Sequence, residues 1–300
     1  MSSRLNLPAV RNTFNYGVEA LRNYMLTLPV LTLGIAVICA SCYSIHAFTW
    51  GKLNLATELG LWAEGVKSGQ VYRLITYPFP HVGFLHIFFN MIAFIPLSAH
   101  FELSMGTFRY LYIFFVVFTF LPASIYILSS LLPFIEAGLL AGTSTLIFIL
   151  VVWECRVPRP LSFCGLFNIP STVYPLFLLL ITSILFSGVA FWGHFIAMAV
   201  GYAYIFNYFK IIIPATGYFQ RLEERTFLTK VVNHPRFVRS VEQYGLLPTF
   251  QTEIDPSDGS ISTNSDSRRG IRTASPIQSN NPSSNASPNP FPGPGRSLDS

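Results

Sequence analysis

Several long stretches of this chain carry almost no charge, and each is close to the length that crosses a lipid bilayer. The charged residues crowd into the first 25 positions, the 50–75 stretch and the chain after Lys210. A membrane helix needs about 20 predominantly apolar residues. Six stretches meet or approach that length: Met25–Phe48, Phe84–Ala99, Phe108–Leu132, Ala137–Trp153, Thr172–Phe186 and Val189–Phe209. Only 11% of the chain is charged and 51% is hydrophobic, against about 25% charged in an ordinary soluble domain. The expected fold class is therefore an all-α membrane protein, a bundle of six transmembrane helices. Pro96 and Pro122 are placed to kink their helices, which buried membrane helices tolerate.

An even number of spans leaves both termini on one side, and the distribution of Lys and Arg decides which. With cytosolic termini, Arg4, Arg11, Arg22, Arg109, Arg156, Arg159, Lys210, Arg221, Arg225 and Lys230 face the cytosol, and only Lys52, Lys67 and Arg73 lie opposite. The formal charge of +5 is thus read as orientation of membrane helices, and no nucleic-acid partner is expected. Residues 1–24 form a cytosolic lead and 25–210 the membrane domain. The 52–80 connection is too long for a turn and is expected to fold against the outer leaflet. Residues 211–250 mix aromatic with charged residues, as in a cytosolic juxtamembrane amphipathic segment. Residues 251–300 are rich in Ser, Pro, Asn and Gly and cannot bury enough apolar surface to fold alone. Cys39 and Cys42 form C-x-x-C inside an apolar helix, a poor place for redox or metal chemistry.

Polar groups inside a membrane span are costly and mark function by default. His86 and Asn90 lie in the second span, Ser144 in the fourth and His194 in the sixth. In the chosen orientation all three helices start on the non-cytosolic side. Each group falls roughly 5–10 residues in, or about 8–15 Å deep at the helical rise. The residue types fit one chemistry. A serine hydroxyl becomes a nucleophile when a neutral imidazole takes its proton, and the attacked carbonyl then needs preorganised donors for its oxyanion. His86 and Asn90, four apart, share a helix face and can supply them. Gly142, two residues before Ser144, allows a close backbone approach.

The segment H-V-G-F-L-H-I-F-F-N, His81 to Asn90, with Y-R-L-I-T-Y-P-F-P-H leading into it, resembles the second-helix motif of the rhomboid family of intramembrane serine proteases. F-E-L-S-M-G-T, with Glu102 and Gly106, resembles that family's E-x-x-x-G turn. G-T-S-T, Gly142 to Thr145, resembles its G-x-S-G nucleophile motif, and G-H-F-I-A-M-A-V-G, Gly193 to Gly201, resembles its sixth helix. The resemblance covers about residues 25–210. It implies Ser144 as nucleophile and His194 as general base, with Asn90, His86 and the Ser144 N–H as the oxyanion hole. It further implies that Gly193, Ala197 and Gly201 let the fourth and sixth helices pack closely. Single-span membrane proteins would be the substrates, and no metal or cofactor would be required. Two departures stand out: Thr145 replaces the second Gly of G-x-S-G, and Tyr72-Arg73 stands where a Trp-Arg pair is expected.

The tail ends in F-P-G-P-G-R-S-L, in which Phe291, Gly293, Gly295 and Leu298 match the SHP box, F-x-G-x-G-x-x-L. That peptide resembles those that bind the AAA segregase valosin-containing protein. The combination is similar to fungal Golgi rhomboids that process membrane-bound transcription factors. A derlin-like adaptor, which recruits the segregase without cutting, is the alternative. The presence of both Ser144 and His194 favours the protease.

Overall fold

The computed structural model describes residues 22–240, except 51, 134, 136, 137, 164 and 186–190, together with 16, 19 and 20. It is mostly helical. Helix α1 (Val30–Phe48) leads into three short helices, α2 (Leu55–Leu59), α3 (Ala63–Lys67) and α4 (Arg73–Thr76). Then come α5 (Phe84–Met105) and α6 (Thr107–Ser129). Helices α1, α5 and α6 have 19, 22 and 23 residues and are long and apolar enough to cross a membrane. Three shorter apolar helices follow: α7 (Ser144–Glu154), α8 (Tyr174–Leu185) and α9 (Phe191–Ile205), of 11, 12 and 15 residues. Phe84, Leu85, Phe88, Phe89 and Ile92 of α5 are all exposed, as are Leu176, Leu180 and Ile184 of α8. Apolar surface so extensive suits lipid and not water.

Helix α7 is apolar on every face and lies at the centre; Thr145 through Trp153 are all buried. A helix without a polar face must be surrounded. Helices α5 and α9 pack along it, and α1 packs on α5.

The first four N–H groups of α1 show how such helices are held. Pro29 precedes the helix and offers no side-chain cap. Val30 N–H donates to the Arg236 carbonyl (3.0 Å) and Leu33 N–H to that of Pro29 (3.0 Å). Leu31 N–H and Thr32 N–H donate to the two carboxylate oxygens of Glu102, at 3.1 and 2.8 Å. The hydroxyls of Thr32 and Thr107 donate to the same carboxylate at 2.9 and 2.8 Å. Glu102 is fully buried near the end of α5. It therefore fastens the starts of α1 and α6 to α5, and every orphan donor of α1 is satisfied.

Several boundaries differ from the sequence expectation. The second stretch was expected to stop at Ala99, but α5 continues to Met105, because Glu102 is sheltered by its donors and His100 pairs with Glu154 at 2.8 Å. The fourth was expected to be helical from Ala137, yet α7 starts at Ser144. Leu140 instead pairs in extended form with Leu61, through N–H···O bonds of 2.8 and 2.9 Å. The expectation of helix alone also misses a hairpin, β1 (Pro160–Phe163) with β2 (Phe167–Pro170), antiparallel with Leu161 opposite Ile169. Its Phe163 and Phe167 rings pack on Phe177 of α8, at 5.0 and 5.9 Å.

After α9 the chain forms α10 (Thr216–Glu223), a 3-10 turn (Thr226–Leu228) and α11 (Thr229–Val232). Residues 234–240 then run as a strap. Val238 accepts from Thr107 N–H (2.8 Å), Arg236 donates to the Met25 carbonyl (2.9 Å), and Ser240 N–H donates to Glu223 (2.9 Å). The SHP-like residues Phe291, Gly293, Gly295 and Leu298 lie outside the described residues.

Substitution Glu102→Ala removes the acceptor of two backbone N–H groups and two hydroxyls. A loss of roughly 3 kcal/mol or more is expected, read as a lowered Tm in detergent, with Glu102→Gln losing less.

Candidate active site

The nucleophile candidate sits where an extended segment turns into a helix. The Leu61–Leu140 bridge fixes the segment, and Gly142 adopts φ +102°, a conformation that favours glycine. Gly142 N–H donates to the Tyr77 carbonyl at 2.9 Å, and Thr143 N–H reaches His81 Nε2 at 3.5 Å. Ser144 is consequently the first residue of α7, not one several residues inside a helix. The sequence pattern missed this because residues 138–143 are as apolar as a helix would be. Their backbone is satisfied by protein neighbours instead.

His194, the fourth residue of α9, is buried and places Nε2 2.8 Å from Ser144 Oγ. Its ring stacks on Phe148, with centroids 4.7 Å apart and planes 28° apart. Phe148 escaped the sequence reading, although its place four residues after Ser144 puts it on the same helix face. His194 Nδ1 has no hydrogen-bond partner among the described residues. In the neutral tautomer whose Nε2 accepts from the serine hydroxyl, Nδ1 carries the ring hydrogen.

Helix α5 brings His86 and Asn90 to the other side of the segment. A β-carbon built on Gly142 would fall 3.1 Å from His86 Nε2 and 3.2 Å from Asn90 Nδ2. Asn90 Nδ2 and His86 Nδ1 are buried and likewise unpartnered among the described residues. A hydroxyl–imidazole pair thus lies beside two side chains with unpartnered nitrogens, an arrangement that can deprotonate a hydroxyl and receive an anionic oxygen. Among the described residues no group of three or more His, Cys, Asp or Glu could hold a metal ion.

The small residues of α9 lie four apart. A β-carbon on Gly201 would stand 3.2 Å from the Ile149 α-carbon and 3.0 Å from Val152 Cβ, both on α7. Ala197 is fully buried. Gly193 faces the Leu140 side chain in the extended segment, where a β-carbon would approach to 2.5 Å.

The Trp-Arg pair that the first loop lacks in sequence exists in space. Arg73 is buried, its guanidinium 5.5 Å from the ring centre of Trp62 and 5.4 Å from that of Tyr72. It donates to the Thr57 and Gly60 carbonyls, both at 2.7 Å, and so closes the loop that supplies Leu61.

Comparison with known proteins agrees with this architecture. The Rhomboid domain profile matches residues 68–211. The chain is 31% identical over 262 residues to "Rhomboid-type serine protease B" of Aspergillus fumigatus, covering 83% of this chain and 92% of that protein. It is 30% identical over 242 residues to "Rhomboid-type serine protease 2" of Gibberella zeae, covering 78% and 89%. It is 28% identical over 283 residues to "Rhomboid-like protein 15" of Arabidopsis thaliana, covering 90% and 69%. The chain belongs to the rhomboid family of serine proteases.

Substitution Gly201→Val must push α9 away from the α7 backbone. A stability loss of about 1–3 kcal/mol, as for an overpacked core, is expected in thermal unfolding. Reaction of Ser144 with a fluorophosphonate should slow with it, because His194 moves with α9.

Proposed function

We propose that the protein is an intramembrane serine endopeptidase that cuts single-span membrane proteins with a Ser144–His194 dyad. The 2.8 Å contact between Ser144 Oγ and His194 Nε2 carries this reading. His194 Nε2 takes the hydroxyl proton as Oγ attacks the scissile carbonyl carbon. Asn90, His86 and the Ser144 N–H stabilise the resulting oxyanion. The imidazolium then gives its proton to the departing amine, leaving an acyl-enzyme. Water repeats the cycle: His194 takes its proton, the hydroxide attacks the acyl carbon, and the proton returns to Ser144 as the acid leaves. The ring stack of Phe148 orients the imidazole without a third acidic residue.

In this reading α1, α5, α6, α7, α8 and α9 are six spans of a membrane domain at about residues 25–210, with both termini cytosolic. Residues 1–24, 211–250 and 251–300 are cytosolic. The site then opens toward the lumen or exterior. The tail residues Phe291, Gly293, Gly295 and Leu298 recruit a segregase of the valosin-containing protein type. In a Golgi or other endomembrane this joins cleavage to extraction, with a membrane-bound transcription factor as the natural kind of substrate. No cofactor enters the scheme.

Cleavage of single-span substrates in membranes tests the reading. Ser144→Ala and His194→Ala should each abolish the product at matched expression. Asn90→Ala should lower kcat by about 100-fold, the cost of one oxyanion donor. If the first two variants support full function while deletion of residues 291–298 does not, the protein is instead a derlin-like adaptor.

A further inference from the structure

The motif departure at Thr145 is accompanied by a contact. Thr145 is buried, and its hydroxyl donates to the phenol of Tyr77 at 3.3 Å. That phenol, also buried, donates in turn to the Thr119 carbonyl at 3.4 Å. Thr119 lies in a π-helical stretch of α6, Ile113–Phe120, just before Pro122. The main chain of Tyr77 is engaged as well, since its carbonyl accepts from Gly142 N–H at 2.9 Å. One residue therefore grips the chain on both sides of Ser144, at position 142 through backbone and at position 145 through side chain. Tyr77 is itself wedged between the first loop, α6 and α9, in a cluster with Leu61, Ala123, Tyr126, Leu140 and Ile196.

Successive residues of a helix point about 100° apart around its axis, from 3.6 residues per turn. Ser144 points to α9 and Thr145 to Tyr77, so holding Thr145 fixes the rotation of the first turn and with it the direction of Ser144 Oγ. A β-branched side chain has few χ1 options, which stiffens the anchor. Glycine there would leave the turn held on one side only.

We infer that Tyr77 and Thr145 form a positioning pair that sets the rotation of the Ser144 turn, in place of the glycine at this point of the rhomboid motif. The inference rests on the dyad reading above. Both residues are buried, so the pair acts through Ser144.

The test is a double-mutant cycle in the full-length protein, using Tyr77→Phe, Thr145→Val and the double variant, with Thr145→Ser as the conservative control. Cleavage kinetics, fluorophosphonate labelling of Ser144 and Tm are read together. Each single variant should lower kcat and labelling by about five- to tenfold, the worth of one net hydrogen bond, with KM unchanged. The double variant should be no slower than either single, and Thr145→Ser should keep the wild-type rate. Independent, multiplying effects would overturn the proposal. So would rates that follow Tm alone, or a Thr145→Val variant with wild-type kcat. Ser144→Ala in the same preparation separates the two readings. If Ser144→Ala still cleaves, the dyad fails. If it is inactive while the cycle variants behave as wild type, the dyad stands and the positioning pair fails.

Discussion

A buried carboxylate with no cation beside it among the described residues holds the bundle together at one end. Glu102 answers four donors, from Leu31, Thr32 and Thr107, and these belong to the starts of two helices. In an apolar medium an unsatisfied helix start costs several kcal/mol, and Pro29 cannot cap α1. The cap comes from a residue 70 positions away. Because Glu102 sits on the helix that also carries His86 and Asn90, fastening α1 and α6 there fixes the frame on which those residues stand. Gly106 at φ +88° turns the chain sharply from α5 into α6, and a β-carbon at this glycine would meet Ser240 at 2.7 Å. The strap after α11 thus closes over the same junction.

The second constraint is the close approach of α9 to α7. A β-carbon at Gly201 would stand 3.2 Å from the Ile149 α-carbon, and this close approach brings the two helices near enough for a serine on one to meet an imidazole on the other. Helix α7 is short because its first turn begins only at Ser144. The segment before it has left the helix and is held by the first loop and Tyr77. Arg73, through the carbonyls of Thr57 and Gly60, keeps that loop in shape. The loop therefore supports the segment that leads into Ser144.

Much of this was legible in the sequence because charge and length are blunt signals. Six apolar stretches became six apolar helices. The polar residues standing out within them, His86, Asn90, Ser144 and His194, come together around Gly142 and the start of α7. What escaped depended on pairings between distant parts of the chain. Nothing local marks Leu140 as the partner of Leu61, so 138–143 reads as helix. Glu102 looks like a helix end until its donors are known. The hairpin at 160–170 was hidden in a connection whose aromatic residues gain their meaning only from Phe177. The Trp partner of Arg73 is not its sequence neighbour but lies 11 residues upstream, at Trp62.

The treatment of buried polar groups separates structure from chemistry. Around Glu102 and Arg73 the bonds are complete. Thr32, Ser98 and Tyr110 form a chain of hydroxyls at 2.9 Å steps beside Glu102, and Arg73 has three strong acceptor contacts. Seven buried side-chain atoms among the described residues lack partners, and four of them belong to His86, Asn90, Thr143 and His194. An unmatched buried polar group costs about 1–3 kcal/mol, and a fold selected for stability alone would not gather such groups in one place. Their concentration around Ser144 is the expected result when donors are kept for an oxygen that arrives only with the substrate. This supports the reading of Asn90 and His86 as oxyanion donors more firmly than their residue types do.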